Sequence, residues 1–170
     1  MQKQVKVAEA LARKYPEQVV LVTTRSKRGQ ANVMAVGWVC VASGDPPMFL
    51  LGIDDEAYTY ELIRKTREFV VAFPSARMAR QTLFVGTRHG HKMDKFAACG
   101  LTAQKAALVK APLVAEAVAN FECRLVEITR PGDCPLAVGR VVAAHVNTNR
   151  TLRRLYTVGQ GHRLGGIRRA

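Results

Sequence analysis

The chain reads as a mainly β fold with peripheral helices, closer to an antiparallel barrel than to an alternating βαβ sheet. Three observations carry this. Apolar runs over 19–24, 33–42 and 48–53 are separated by turns rich in breakers, Arg25 to Gln30 and Ser43 to Pro47. Two further runs, 121–130 and 135–147, flank Pro131-Gly132-Asp133 and read as a returning hairpin. Strand and helix signals do not alternate, and neither G-x-G-x-x-G nor a Walker A sequence is present.

The elements follow in order. Val7, Ala8, Leu11 and Ala12 lie at helical spacing, which predicts a short amphipathic helix within 3–14. Tyr15-Pro16 ends it, because proline disfavours a helical residue before it. Strands are predicted over 18–25, 32–42 and 47–53. The first two are almost continuously apolar, so both of their faces should be covered. Ala35, Gly37 and Ala42 are small, and small residues in a strand let a backbone or a flat ligand come close. A helix over 60–67 is expected, with Thr59 as its N-cap, acids ahead of it and Arg64, Lys65 and Arg67 at its end, which suits the dipole.

A fourth strand over 68–74 closes at Pro74, and 76–86 reads as a helix or helical turn. The segment 87–100 is a basic, glycine-containing loop with a short helix near 93–98. Residues 101–120 stay unassigned, since alanine favours helix while Pro112 interrupts it. In 121–130, Phe121, Cys123, Leu125 and Ile128 alternate with Glu122, Arg124 and Glu127; in 135–147, Gly139 marks a bulge. One domain is expected over 1–170, with a core of about 16–147 and a basic tail over 148–170.

Composition narrows the function classes. With 48% hydrophobic residues in 170, the chain can build a core without disulfides or a metal. No apolar run approaches the ~20 residues that span a bilayer, and the first residues lack a signal-peptide block, so a cytoplasmic protein without a membrane partner is expected. The formal charge is +13, with Arg150, Arg153, Arg154, Arg163, Arg168 and Arg169 concentrated at the end. Such an excess suits a solvated or partner-docking tail, an anionic cofactor or a nucleic acid. Aromatic residues make up only 6% and do not interleave with the basic ones, so nucleic acid is the weakest of these readings. Cys40, Cys99, Cys123 and Cys134 form no C-x-x-C and read as free thiols.

No catalytic triad and no G-x-S-x-G can be assembled, so no catalytic residue is assigned. His89 and His91 could chelate from a strand, but no further ligands stand near them in sequence, and no metal is expected. What remains is an anion site with an apolar wall: Thr59 at a helix start, Arg88 and Lys95 in the basic loop, and the small-residue strand beside them.

A resemblance sharpens this reading. VVLVTT at 19–24, NVMAVGW at 32–38, SGDPP at 43–47, YTYELI at 58–63, EFVVAFP at 68–74, DKF at 94–96 with GLT at 100–102, FECRLVEI at 121–128 and GDCPLAVGRVV at 132–142 follow in an order that resembles the flavin reductase-like, or flavoredoxin, family of FMN-binding split barrels. The resemblance implies a six-stranded antiparallel Greek-key split β-barrel, a homodimer and non-covalent FMN, with FAD as an alternative flavin. It places Asn32, Val33 and Met34 along the isoalloxazine edge with Ala35 beside them, and Trp38 next to the ring. Ser43 and Thr59 would offer hydroxyls to the ribityl-phosphate, Lys95 would pair with the phosphate and Phe96 would wall the pocket.

A phosphate dianion is suited by a cation together with N–H and O–H donors, and a flavin's potential responds to groups near its nitrogens. The implied activity is that of an oxidoreductase passing electrons from a donor such as NAD(P)H, through FMN, to a second acceptor. One departure stands out: many relatives resemble Gly-Asp-His where this chain has Gly132-Asp133-Cys134. That change bears on NAD(P)H turnover more than on flavin binding, and it keeps a non-enzymatic FMN electron carrier as the alternative.

Overall fold

Valine-rich segments pair into one large antiparallel sheet in the computed structural model, which describes residues 1–167. In chain order the elements are α1 (Val7–Leu11), β1 (Glu17–Gln18), β2 (Val20–Arg25), β3 (Ala31–Val36), β4 (Val39–Gly44), β5 (Pro47–Gly52), α2 (Tyr58–Thr66) and β6 (Glu68–Phe73). A 3-10 turn (Ala76–Met78) leads into α3 (Ala79–Gly86), then α4 (Lys95–Cys99), β7 (Ala103–Gln104), β8 (Leu113–Val114), β9 (Ala119–Thr129), β10 (Leu136–Val146), β11 (Tyr156–Gly159) and β12 (Arg163–Gly165). The chain is therefore mainly β with few helices.

The main sheet has the order β3-β2-β6-β9-β10-β5-β4. Its two end strands are consecutive in the chain, with only Gly37 and Trp38 between them. Three residue steps span at most about 11 Å, so the sheet must curl until its ends face one another. The ends do not pair, and the curl stays open along that line. Bulges at Val138/Gly139 and Val141/Ala143 help β10 bend. Gly139 is required there, since a Cβ would overlap the ring of the fully buried Phe69.

Burial on both faces explains the continuous apolar runs. Val20, Val22, Val36, Leu51, Phe69 and Val71 fill the inside of the curl, with Ile63 of α2. Leu21, Val33 and Ala72 point outward into a second cluster with Val85 of α3 and Phe96 of α4. Fully burying each such aliphatic or aromatic side chain contributes about 1.5–3 kcal/mol.

The structure departs from the sequence expectations in several places. The single strand expected over 32–42 breaks at Gly37-Trp38, which turns six expected main-sheet strands into seven. Helix α2 starts at Tyr58 with Ala57 as N-cap, so Thr59 is inside the first turn rather than the cap. Helix α1 is shorter than expected and buries none of its residues. The expected basic tail instead folds back: β11 pairs with β1 and with β12. Arg154 stacks over the rings of Phe73 and Tyr156, 4.1 and 5.2 Å from their centroids. Arg168 and Arg169 lie outside the described residues.

Residues 101–118, unassigned from sequence, are mostly irregular and are tied down by Glu122. This fully buried carboxylate accepts the backbone N–H groups of Ala107, Leu108 and Val109 at 2.7, 2.6 and 2.9 Å, and lies 2.6 Å from His145 Nε2. Among the described residues, no helix is long and apolar enough to cross a membrane.

Candidate functional site

The C-terminal half of β3 is the floor of a cleft of about 360 Å³, within the ~300–1,000 Å³ range of small-molecule sites. Met34 and Ala35 lie on the floor, Trp38 and Gly52 at one side, Thr82, Gly86 and Thr87 of the α3 region at another. Small residues keep it open. A Cβ on Gly86 would stand 3.1 Å from Ala35 Cβ, and one on Gly52 would stand 3.1 Å from Trp38 Cβ and Cε3. Because β3 is an end strand, its outer backbone N–H and C=O groups have no strand partner and can meet a ligand. Thr82, only 1% exposed, has a hydroxyl without a hydrogen-bond partner.

One wall was invisible in the sequence. It is built from Lys14, Tyr15 and Glu17 together with Thr157, Gly161, His162 and Leu164 of the C-terminal hairpin. Residues more than a hundred positions apart meet here because β1 pairs with β11.

A buried polar cluster adjoins the cleft along the same strand. Asn32 and Met34 share a face of β3, about 7 Å apart. The Asn32 Nδ2 group donates to Thr59 Oγ1 at 2.9 Å and to Thr24 Oγ1 at 3.3 Å, and all three residues are buried. Asn32 Oδ1 has no partner. Thr59 brings the first turn of α2 here, and no side chain caps that helix, which leaves its leading N–H groups without a side-chain partner.

The segment 87–94 runs from the cleft, at Gly86-Thr87, to this cluster. Gly90 is buried there, and a Cβ on it would overlap Asn32 Oδ1 and approach Tyr58 Cδ1 to 3.0 Å. His91 stacks on Tyr58, with ring centroids 3.9 Å apart, and its Nε2 lies 3.7 Å from Glu61.

The structure thus brings Asn32 together with Thr59, and puts Met34, Ala35 and Trp38 on the adjoining cleft. Val33 and Phe96 sit in the outer core, where Val33 can reach a ligand only through its backbone. Ser43 lies opposite Met48 at the bulged end of the β4–β5 hairpin and does not line the cleft. Lys95 does not line the cleft. It opens α4, is 3% exposed, and its amine donates to the Val85 carbonyl at 2.8 Å. Burial pulls its pKa down to about 8, against a small opposing effect of Cys99.

Cys134 packs beside Gly52, its Sγ 3.5 Å from the Pro135 carbonyl. Burial, then the charges of Asp133 and Asp54, push its thiol up, which keeps it protonated and a poor nucleophile. His89 and His91 belong to no group of three or more metal-ligating side chains among the described residues.

The cleft lined by glycine and alanine has room for a flat group, and the adjoining cluster holds an unpaired acceptor, Asn32 Oδ1, beside an uncapped helix start. The family model described as a flavin reductase like domain matches residues 12–164. An uncharacterized protein of Pyrococcus abyssi is 39% identical over 129 residues, covering 76% of this chain and 73% of its own. A flavoredoxin from Methanosarcina acetivorans superposes with a TM-score of 0.87 at 27% identity, over 99% of this chain and 94% of that one. An FMN-binding domain of a flavin reductases-like enzyme from Shewanella baltica does so with a TM-score of 0.78 at 26% identity, over 91% and 87%.

Proposed function

The chain belongs to the flavin reductase-like family, and on that premise we propose that it is an FMN-binding oxidoreductase. The observation that carries this is the continuity of two features on β3: a cleft floored by small residues, and a buried Asn32–Thr59 pair at an uncapped helix start. The likeness to a flavoredoxin and to an FMN-binding domain supports the same reading.

In this proposal the ring lies over Ala35 and Gly52, with Trp38 beside it and the outer backbone of Asn32, Val33 and Met34 along its edge. Thr82 supplies a hydroxyl at the cleft. Asn32 Oδ1 accepts from the ribityl hydroxyls, and Thr59 with the leading N–H groups of α2 holds the phosphate. Lys95 takes part from beneath, by tying α4 to the end of α3, and Ser43 is left out. FMN supplies the electron chemistry when bound; the chain binds and orients it, and walls it from water with Tyr15 and the C-terminal hairpin. We read the curled sheet as the Greek-key split barrel of flavin-binding proteins, and the whole chain as one domain.

The electron donor in this reading is NAD(P)H, and the acceptor a second molecule or protein. The partner is a second copy of the chain. Four unpaired cysteines suit a reducing cytoplasm. Cys134 favours a second reading, a flavin carrier that exchanges electrons without oxidising NAD(P)H, since a protonated thiol cannot offer a charge to a nicotinamide nucleotide. Rapid mixing of the FMN-loaded protein with NADH and NADPH separates the two. Bleaching of the flavin absorbance within seconds supports the oxidoreductase; a flavin that stays oxidised under either nucleotide supports the carrier.

A further inference from the structure

Asn32 Oδ1 is buried and unpartnered, and Gly90 lies against it. A buried carbonyl oxygen without a donor is costly, and the cost disappears if the segment above it lifts or a ligand hydroxyl enters. With Gly90 seated, Asn32 and Thr59 are each only 2% exposed. The segment is held at that point by His91, through its stack on Tyr58 and its approach to Glu61.

We propose that residues 87–94 form a strap over the phosphate end of the flavin site, and that His91 is the positioning residue that latches it, so that the cofactor enters and leaves only when His91 releases Tyr58 and Glu61. The inference rests on the flavin reading above. Lys95, whose amine is spent on Val85, takes no part in this latch.

The charged and titratable groups around the latch are Tyr58, Glu61 and Lys65 on α2, and Arg88, His89, Lys92 and Asp94 in the strap itself. Lys65 shares the Glu61 carboxylate with His91, at 2.5 Å. Its hydrogen bond, aided by the charges of Lys65 and His91 and opposed by slight burial, holds the Glu61 carboxyl below its usual range. Glu61 is therefore an anion across the range in which histidine changes charge. A protonated His91 is attracted to Glu61 and to a ligand phosphate alike, so the strap holds more firmly in mild acid and loosens as the pH rises.

The test measures FMN dissociation from the loaded full-length protein by recovery of flavin fluorescence on dilution, at pH 6 and pH 8. Wild type should release FMN more slowly at pH 6. His91→Ala should release it on the order of tenfold faster at pH 6, the worth of one aromatic stack and one exposed ion pair, and with less dependence on pH. His91→Phe keeps a ring on Tyr58, and should recover part of the slow release without the pH dependence. In the ligand-free protein, His91→Ala should also raise amide hydrogen exchange over 88–93 while leaving α2 unchanged. Equal release rates in wild type and His91→Ala, or unchanged exchange over 88–93, would overturn the latch. A folded wild type that takes up no FMN would instead defeat the flavin reading, and the exchange measurement would still decide whether His91 holds the strap.

Discussion

Replacing Lys95 with methionine separates two accounts of this cation. If it faced the cofactor phosphate, as its place in the basic loop suggests, Lys95→Met would weaken FMN binding by roughly a hundredfold, the loss of a charge-assisted contact. The structure instead buries the amine under α3, hydrogen-bonded to Val85, with its pKa drawn from 10.5 to about 8 by burial. A displacement of that size corresponds to about 3 kcal/mol.

The sign follows from proton binding. Between pH 8 and the ordinary lysine value the unfolded chain carries this proton and the folded chain does not, so stability rises with pH through that window. Below pH 8 both states carry it, and the cost of the buried charge is fully present. Urea denaturation at pH 7, 8, 9 and 10 should show wild type gaining stability relative to Lys95→Met as the pH rises. The relative gain should approach about 3 kcal/mol near the top of the window. FMN affinity of the variant should stay within about threefold of wild type. A constant stability difference from pH 7 to 10, with a large loss of FMN affinity, would refute this placement of Lys95.

Other substitutions test the remaining parts. Thr59→Val leaves Asn32 Nδ2 without its nearer acceptor and removes a donor to the phosphate; flavin titration should show affinity falling about tenfold, equivalent to one hydrogen bond to a charged group. Gly86→Val fills the cleft against Ala35, and the circular dichroism spectrum should stay native while FMN binding is lost. Glu122→Gln leaves the N–H groups of residues 107–109 with a weaker acceptor, and should cost about 2–3 kcal/mol in thermal or urea denaturation. Burial alone would raise the Glu122 carboxyl, but the N–H of Ala107, His145 and the N–H groups of Leu108 and Val109 outweigh it and leave it lowered. Its contribution is thus present at neutral pH and lost as the pH falls through the lowered value, so wild type should lose its advantage over Glu122→Gln in acid.

The strands were legible in the sequence wherever one segment carried its own apolar signal, as in β2, β6 and β10. The break at Gly37-Trp38 was not, because valines continue on both sides of it, and only the pairing of β4 with β5 at the far end of the sheet exposes the turn. Strands β11 and β12 are only four and three residues long, too short to carry a periodic signal; they exist because β1 offers an edge to pair with, which no local pattern announces. The site was half legible. Asn32 and Thr59 stood out through the motifs around them, whereas the contact that joins them spans 27 positions. Lys95 was assigned to the phosphate through the resemblance, whereas its hydrogen-bond partner, the Val85 carbonyl, lies ten positions away on α3, and the packing of α4 against that helix leaves no local sequence signal. Gly90 and His91 stood visible in the run His89-Gly90-His91, but their meaning depends on what lies beneath them, Asn32 and Tyr58.

Parallel calorimetric titrations of the purified protein with FMN and riboflavin test the central claim most directly, since these ligands share a ring and ribityl chain and differ in the phosphate. The arrangement around Thr59 and the start of α2 predicts that FMN binds in the micromolar range or tighter, and at least tenfold more tightly than riboflavin. A folded protein that binds neither, or that binds both with equal affinity, would contradict it.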